Sequence, residues 1–328
     1  MQWTDRIGRR VKLRDLHILL AVAQSGSLSR AAERLAISYP VVSRTISDLE
    51  HALGVRLFDR GAMGVEPTMY GRTFLECGTA VFDELRQGVQ RIEFLSDPTV
   101  GELRIGSSQP LMAGLLAMVI DRLVVRYPRI AIQSTTAGSS KIQRTALRER
   151  TIDVAIIPVE QSSEDRDLDS EWLFDEQLFV VAGLHSRWVR RRKIELADLM
   201  DDHWILPYAN TAAGTLIESR FRANGLAPPT HVVVSDSIHL RNTLLVTGRY
   251  LSVLPESMLR FGPKPLTVKK LPIPLLASLP YEVVTLKNRT LSPAVQLFIE
   301  CAREVAKPLV KREAAVEKLV AAIAPKKP

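Results

Sequence analysis

Leu16, Leu19, Leu20 and Ala23 recur at i, i+3, i+4 and i+7, which places one apolar stripe on a helix from about Leu13 to Gln24. Ser25-Gly26-Ser27 ends it. A second, shorter helix is expected to start with Ser29 as its N-cap and to carry Ala31, Ala32 and Leu35, the alanines small enough to let another helix come close. Ser38 reads as the next cap, with Pro40 in a first helical turn where its missing N–H costs nothing. On that third helix Val42, Ile46 and Leu49 share one face, while Tyr39, Val41, Ser43, Arg44 and Ser47 lie toward the other. Two short helices and a tight turn, the second presenting hydroxyl, guanidinium and aromatic groups outward, match what the major groove of DNA admits. The same periodicity also suits a plain three-helix bundle with Arg44 merely solvated.

From about Thr73 to Leu95 there is no proline, and Phe74, Val81, Leu85, Ile92 and Leu95 keep a roughly heptad spacing. Such a helix wants a partner, either a second copy or the body of its own chain. Cys77, near the stripe, is expected to be a small buried residue. Ser96-Asp97-Pro98-Thr99 breaks the helix. Strands at Val100–Ser107, Ile130–Thr135 and Val154–Ile157 then alternate with helices at Leu111–Arg126 and Lys141–Arg150, the order of an α/β domain with parallel-sheet units.

Charge sharpens this division. The 328 residues hold 44 Lys and Arg against 36 Asp and Glu, and the surplus sits at the ends: 11 against 7 in residues 1–72, and 6 against 2 in residues 306–328. The middle, with 27 of each sign, is neutral. A basic head suits a polyanion, and a neutral middle a small molecule or a protein. Two cysteines, Cys77 and Cys301, form neither a metal cluster nor a disulfide framework. With no basic-then-apolar leader and no run of eighteen apolar residues, the expectation is a soluble cytoplasmic protein that makes no use of a membrane.

The stretch Leu28-Ser29-Arg30-Ala31-Ala32-Glu33-Arg34-Leu35, then Ile37-Ser38, Pro40, Val42-Ser43-Arg44, Ile46, Leu49-Glu50 and Leu53-Gly54-Val55-Arg56-Leu57-Phe58-Asp59-Arg60, closely resembles the N-terminal domain of LysR-type transcriptional regulators. Pro67-Thr68 and Gly71 fit as well. The resemblance implies an all-α winged helix-turn-helix over 13–72, with wing strands at Val55–Phe58 and Val65–Thr68, preceded by a flexible arm, 1–12. A linker helix at 73–96 would pair two subunits. An α/β effector-binding domain at 97–305 would follow, with two lobes like those of periplasmic binding proteins, and then a frayed basic tail, 306–328.

The first lobe is expected at about 97–181 and 268–305, and the second at about 182–267. The motifs behind this are Leu103-Arg104-Ile105-Gly106-Ser107-Ser108, Ile152-Asp153-Val154-Ala155-Ile156 and Gly248-Arg249-Tyr250-Leu251-Ser252-Val253-Leu254-Pro255. Tyr250 departs from the second glycine found there in many members. The closing helix is expected at Pro293–Ala306.

Carried over by position, the DNA-facing residues fall on Tyr39, Pro40, Ser43 and Arg44, with Arg60 near the wing reaching phosphate or the minor groove. Arg30 and Thr68 join this set, and Ser29 and Ser38, as caps, would point helix N-termini at phosphates. Position 39 departs from the family, where glutamine is usual. Tyrosine offers one hydroxyl and a ring suited to a thymine methyl, in place of a bidentate contact with adenine. Val41 is bulkier than the commoner alanine.

Ligands of open α/β sheets sit beyond strand carboxyl ends, at helix N-termini. Here those places are Ser107, Ser108 and Gln109, then Gly138, Ser139 and Ser140, and in the second lobe Asn210, Thr211 and Ser237. Small, hydroxylic and rich in backbone amides, they suit a carboxylate-bearing effector, though any one of them also reads as a plain helix cap.

No catalytic constellation emerges. The chain lacks H-E-x-x-H, G-x-S-x-G, a phosphate loop and a dinucleotide fingerprint, and its six histidines, His17, His51, His185, His203, His231 and His239, are scattered. Neither a metal nor another cofactor is expected. The alternative is a cytoplasmic small-ligand-binding protein or an enzyme using the two-lobed cleft, for which Asp153 and Asp236 are the nearest acid–base candidates. The expected partners are double-stranded promoter DNA, a small-molecule effector, a second copy of the chain in a homodimer or homotetramer, and RNA polymerase.

Overall fold

The computed structural model describes residues 10–61, 64–159, 165–262, 266–273, 275 and 277–323, the last of these, 311–323, as backbone only. The chain divides into two compact units, Met1–Val89 and Gln90–Pro328, each described by itself.

In the first unit α1 (Leu13–Ser25), α2 (Leu28–Leu35) and α3 (Tyr39–Leu53) enclose a core of Leu19, Val22, Ala31, Val42, Ile46 and Leu49. The third-helix face read from the sequence is the buried one. On α1 the buried arc is wider than the expected stripe: Leu16, Ile18, Leu19, Ala21 and Val22 are buried, while Leu20 and Ala23 are half-buried. Neighbours on two sides explain this, because α4 (Met69–Ser96) brings Gly78 against Leu16 and Leu20 while α2 and α3 cover the other flank.

The cap of α2 is Ser27 and not Ser29. The Ser27 side chain accepts from the Arg30 N–H at 3.5 Å, so the helix begins one residue before the expected cap. The wing hairpin consists of β1 (Phe58–Gly61) and β2 (Gly64–Pro67), antiparallel with Arg60 opposite Val65. β1 therefore starts three residues later than expected. The Leu57 and Phe58 N–H groups are spent on the Glu50 carboxylate, at 2.8 and 3.2 Å, which ties the chain to α3 before the ladder can begin.

The linker helix likewise starts at Met69 and not Thr73. The Thr68 hydroxyl accepts from the Gly71 N–H at 3.0 Å and donates to the Arg56 carbonyl at 2.8 Å, capping α4 and fastening it to the wing. Gly71 makes that crossing possible, since a Cβ there would lie 2.0 Å from the Leu57 carbonyl oxygen. Cys77, expected to be buried, is exposed on α4.

The second unit is built on one nine-stranded mixed sheet. β3 (Val100–Ser107), β4 (Arg129–Thr136) and β5 (Val154–Pro158) are parallel, as the alternating pattern requires. Between β3 and β4 runs a helical stretch, Gln109–Leu111, a π-helical turn Met112–Leu116, and α5 (Ala117–Arg126). Between β4 and β5 lies α6 (Ser140–Arg148).

β6 (Leu168–Gly183) is the longest strand and runs through both lobes. β7 (His203–Leu206), α7 (Ala212–Ala223), β8 (Val232–Val234), α8 (Ile238–Val246), β9 (Tyr250–Pro255), α9 (Glu256–Phe261) and β10 (Val268–Lys270) make up the second lobe. β11 (Ala277–Leu286) returns antiparallel to β6, and α10 (Pro293–Ile323) closes the first lobe. The sheet order is β4-β3-β5-β11-β6-β9-β7-β8, with β10 on β6.

Each lobe has its own core. Leu103, Ile105, Val119, Phe174 and Phe298 belong to the first, and Leu178, Val180, Trp204, Phe221 and Leu251 to the second. The lobe boundaries expected at 181/182 and 267/268 therefore move. The chain crosses inside β6, between Phe174 and Leu178, and crosses back inside β11, between Ala277 and Leu279. Leu271, Ile273 and Leu275 stay with the second core. A continuous ladder carries the backbone across, so no turn signal marks either point.

The closing helix also differs from expectation, because α10 continues through Pro308 to Ile323. A proline inside a helix removes a hydrogen bond and costs about 3 kcal/mol. Val305, Ala306 and Leu309 on either side are buried in the first core, and that burial offsets the break.

Candidate functional site

Two surfaces concentrate functional chemistry, one in each unit. On the first, Val42, Ile46 and Leu49 turn inward and leave Tyr39 48% and Val41 38% exposed on α3. The Arg44 side chain is 86% exposed, and its Nε lies 3.8 Å from Asp48, a surface pairing worth little. Pro40 is exposed beside it and Ser43 is half-buried. Ser38 sits at the N-cap in extended backbone, but its hydroxyl makes no capping bond. Ser29 and Arg30 are exposed in the first turn of α2, and Arg60 is exposed on the wing strand. Thr68 stands apart from this set, since its hydroxyl is already committed to the α4 cap.

The second surface is a cleft between the two lobes, enclosing about 180 Å³. Its walls come from the loop after β3, the loop after β4, the middle of β6 and the N-terminal ends of α7 and α8. Of the nine residues expected there, Ser108, Gln109, Gly138, Ser139, Ser140 and Thr211 line the cavity. Ser107 does not: fully buried, it donates its hydroxyl to the Ile156 carbonyl at 2.7 Å and so ties β3 to β5. Asn210 is exposed outside the lining, and Ser237 caps α8 by accepting from the Leu240 N–H at 3.3 Å.

Ser139 and Thr211 are caps as well, accepting from Ile142 and Gly214 at 3.4 and 3.1 Å. Only part of their hydrogen-bonding capacity is left for a ligand. Gln109 reaches across the cleft, its side-chain oxygen accepting from the Ile238 N–H of α8 at 3.2 Å.

The charged groups of the cleft were not among the residues expected to bind an effector. Arg241 is 3% exposed, donates Nη2 to the Ser235 carbonyl at 3.0 Å, and leaves Nε without a partner among the described residues. Burial pulls its guanidinium down to about 10, against the opposing pull of the Asp236 charge. The signal was in the sequence: Arg241 lies three residues after Ile238 and four before Leu245, on the buried face of α8.

Glu176 is 2% exposed, and burial pushes its carboxyl up to about 7 despite the Ser257 N–H donating to Oε1 at 3.0 Å. It shares the inward phase of β6 with Phe174, Leu178 and Val180. Tyr281 stacks on Phe174 at 5.5 Å between ring centroids, and burial raises its phenol.

Asp153 has a different task from acid–base chemistry. Burial alone would raise its carboxyl, but Arg104 and Arg289 outweigh burial and bring it down to about 2. Asp236, the other candidate, lines the cleft mouth and is exposed. Among the described residues no three His, Cys, Asp or Glu side chains are grouped to hold a metal ion, and no helix is long and apolar enough to cross a membrane.

Comparison with known proteins follows the same division. The family described as "Bacterial regulatory helix-turn-helix protein, lysR family" matches residues 13–72, and "LysR substrate binding domain" matches residues 96–307. The regulator GbpR of Azospirillum brasilense is 27% identical over 305 residues, 92% of this chain and 89% of that protein. The dual regulator GltC of Bacillus subtilis is 27% identical over 292 residues, 88% of this chain and 96% of its own length. Among solved structures, the LysR family regulator CbnR in complex with its target DNA superposes with a TM-score of 0.63 at 22% identity, covering 90% of this chain and 100% of that one. OxyR from Pseudomonas aeruginosa gives 0.62 at 23%, with 90% and 95% covered. At these identities the structural likeness is one of fold.

Proposed function

Because the chain belongs to the LysR family of transcriptional regulators, we propose that it reads promoter DNA with α3 and that a small carboxylate-bearing effector in the inter-lobe cleft sets how that DNA is held. Arg241 carries the ligand class. This guanidinium is taken almost wholly out of water in a cleft and, among the described residues, is bonded to a carbonyl and to no carboxylate, so an anion is the partner it favours. Ser108, Gln109, Ser139 and Thr211 supply the polar wall around that anion.

On the DNA side, Tyr39, Pro40, Ser43 and Arg44 face base edges, while Ser38, Ser29, Arg30 and Arg60 face the sugar–phosphate backbone. CbnR, whose fold this chain shares, has been solved on its target DNA. The exposed apolar row Leu85, Val89, Ile92 and Leu95 on α4 is the surface through which two copies pair, so that two recognition helices reach two half-sites. Dimers or paired dimers working in the cytoplasm with RNA polymerase, without catalysis, complete the reading.

Isothermal titration of the full chain with a panel of organic acids tests it. One of them binds wild-type protein and loses at least ten-fold in affinity with Arg241→Gln. Equal binding by the variant would remove Arg241, and with it the carboxylate, from the account.

A further inference from the structure

The side-chain oxygen of Gln109 occupies the place at the N-terminus of α8 where an anion is most favoured. α8 runs for nine residues, and its first N–H, that of Ile238, donates across the cleft to Gln109 Oε1 at 3.2 Å. Helical side chains lean back toward the N-terminus, and Arg241 follows the rule: its Nη2 bonds the carbonyl of Ser235, which precedes the helix. The guanidinium therefore lies beside the same N-terminal turn, with Nε unpartnered among the described residues and the residue 3% exposed. Gln109 and Arg241 line one cavity. A neutral amide oxygen thus bonds the first backbone N–H at the positive end of the helix dipole, and the same side chain lines a cavity with the buried Arg241.

We propose that the effector's carboxylate displaces the Gln109 side-chain oxygen from α8 and pairs with the Ile238 N–H and the Arg241 guanidinium, so that Gln109 is a built-in competitor for the ligand. This rests on the reading of the cleft as a carboxylate site and adds where the anion sits and what it replaces. A charge-assisted hydrogen bond is roughly twice as strong as a neutral one, so the exchange is favourable. It also has a mechanical consequence, because Gln109 belongs to the first lobe and Ile238 to the second. The ligand breaks a side-chain bridge between the lobes and installs its own.

The test uses the full chain as wild type, Gln109→Ala, Gln109→Glu and Arg241→Gln, with sodium acetate, malonate, succinate and benzoate as probes. Without ligand, amide hydrogen exchange at Ile238 should quicken about five-fold in Gln109→Ala, the loss of one net hydrogen bond, and slow in Gln109→Glu. With ligand, Gln109→Ala should bind the preferred carboxylate about five-fold more tightly, and Gln109→Glu should bind it at least ten-fold more weakly. Unchanged exchange at Ile238 in Gln109→Ala overturns the bridge. Unchanged or weaker carboxylate binding in Gln109→Ala, while Arg241→Gln abolishes binding, overturns the displacement and leaves the carboxylate site standing. If no protein binds any of the four acids, the ligand class itself fails and the displacement fails with it.

Discussion

Arg289 donates to Asp153 Oδ1 at 2.6 Å, with the two side chains 1% and 2% exposed. Arg104 holds the same carboxylate through Nη2 at 2.7 Å and Nε at 3.1 Å, and its backbone N–H donates to it as well at 2.9 Å. One buried carboxylate thus joins β3, the start of β5 and the loop before α10. Breaking a buried pair from one side leaves uncompensated charge and costs about 3–5 kcal/mol. Asp153→Asn should destabilise the second unit by about that amount in urea unfolding at pH 7.

The same pairing fixes an acid limit. The Asp153 carboxyl titrates at about 2 when folded, against its usual 3.8, so its contribution is present above pH 3.8 and is lost as pH falls toward 2. The Asn variant should lack that part of the acid unfolding profile.

Glu176 predicts the opposite slope. Its carboxyl is raised from 4.5 to about 7 by burial, so the folded protein holds a proton that the unfolded chain has released between those values. Stability conferred by this group is therefore full below pH 4.5 and drains away as pH rises to 7, by roughly 3 kcal/mol over the window. Glu176→Gln, read by urea midpoints at pH 5 and pH 8, should narrow the difference between the two. An undiminished difference would place the slope elsewhere.

How much of this was legible in the sequence differs between the units. In the first, the inward face of α3 and the turn between α2 and α3 follow from short-range spacing, because a helix that packs on two neighbours repeats its apolar residues locally. The Ser27 cap was missed by two residues, since Ser25, Ser27 and Ser29 have equal capping chemistry and only the packed helix chooses. In the second unit β3, β4 and β5 were readable as apolar runs. β6 was not: Leu168 to Gly183 mixes acidic and aromatic residues, because Asp169 to Trp172 are exposed while the residues from Leu173 onward are buried or half-buried. Missing that strand hid Glu176, and the neutral charge count of the middle region hid Arg241, whose partner is a carbonyl and not a carboxylate.

Arg44→Ala should leave thermal stability unchanged, because the ion pair it loses lies on the surface. Binding to the specific operator should weaken by roughly 1–3 kcal/mol if the guanidinium reads a base edge. An equal loss on random DNA of the same length, seen by gel shift, would make Arg44 a phosphate contact.

Tyr39 should set base preference more than affinity. It is the first residue of α3 and 48% exposed, with the Val41 side chain also exposed in the same turn. Replacing it with glutamine exchanges an apolar ring for a group that pairs bidentately with adenine. Selection from a randomised operator library should return a changed base at one position in each half-site for Tyr39→Gln, and the same consensus otherwise.

The central claim is that occupancy of the cleft governs how the protein holds DNA. It is tested most directly by footprinting the full chain on its promoter with and without the carboxylate chosen by titration, in wild type and in Arg241→Gln. The account predicts that the ligand alters the wild-type footprint or its affinity, and that the variant gives the ligand-free footprint under both conditions. A variant that responds to the ligand as wild type does would contradict it.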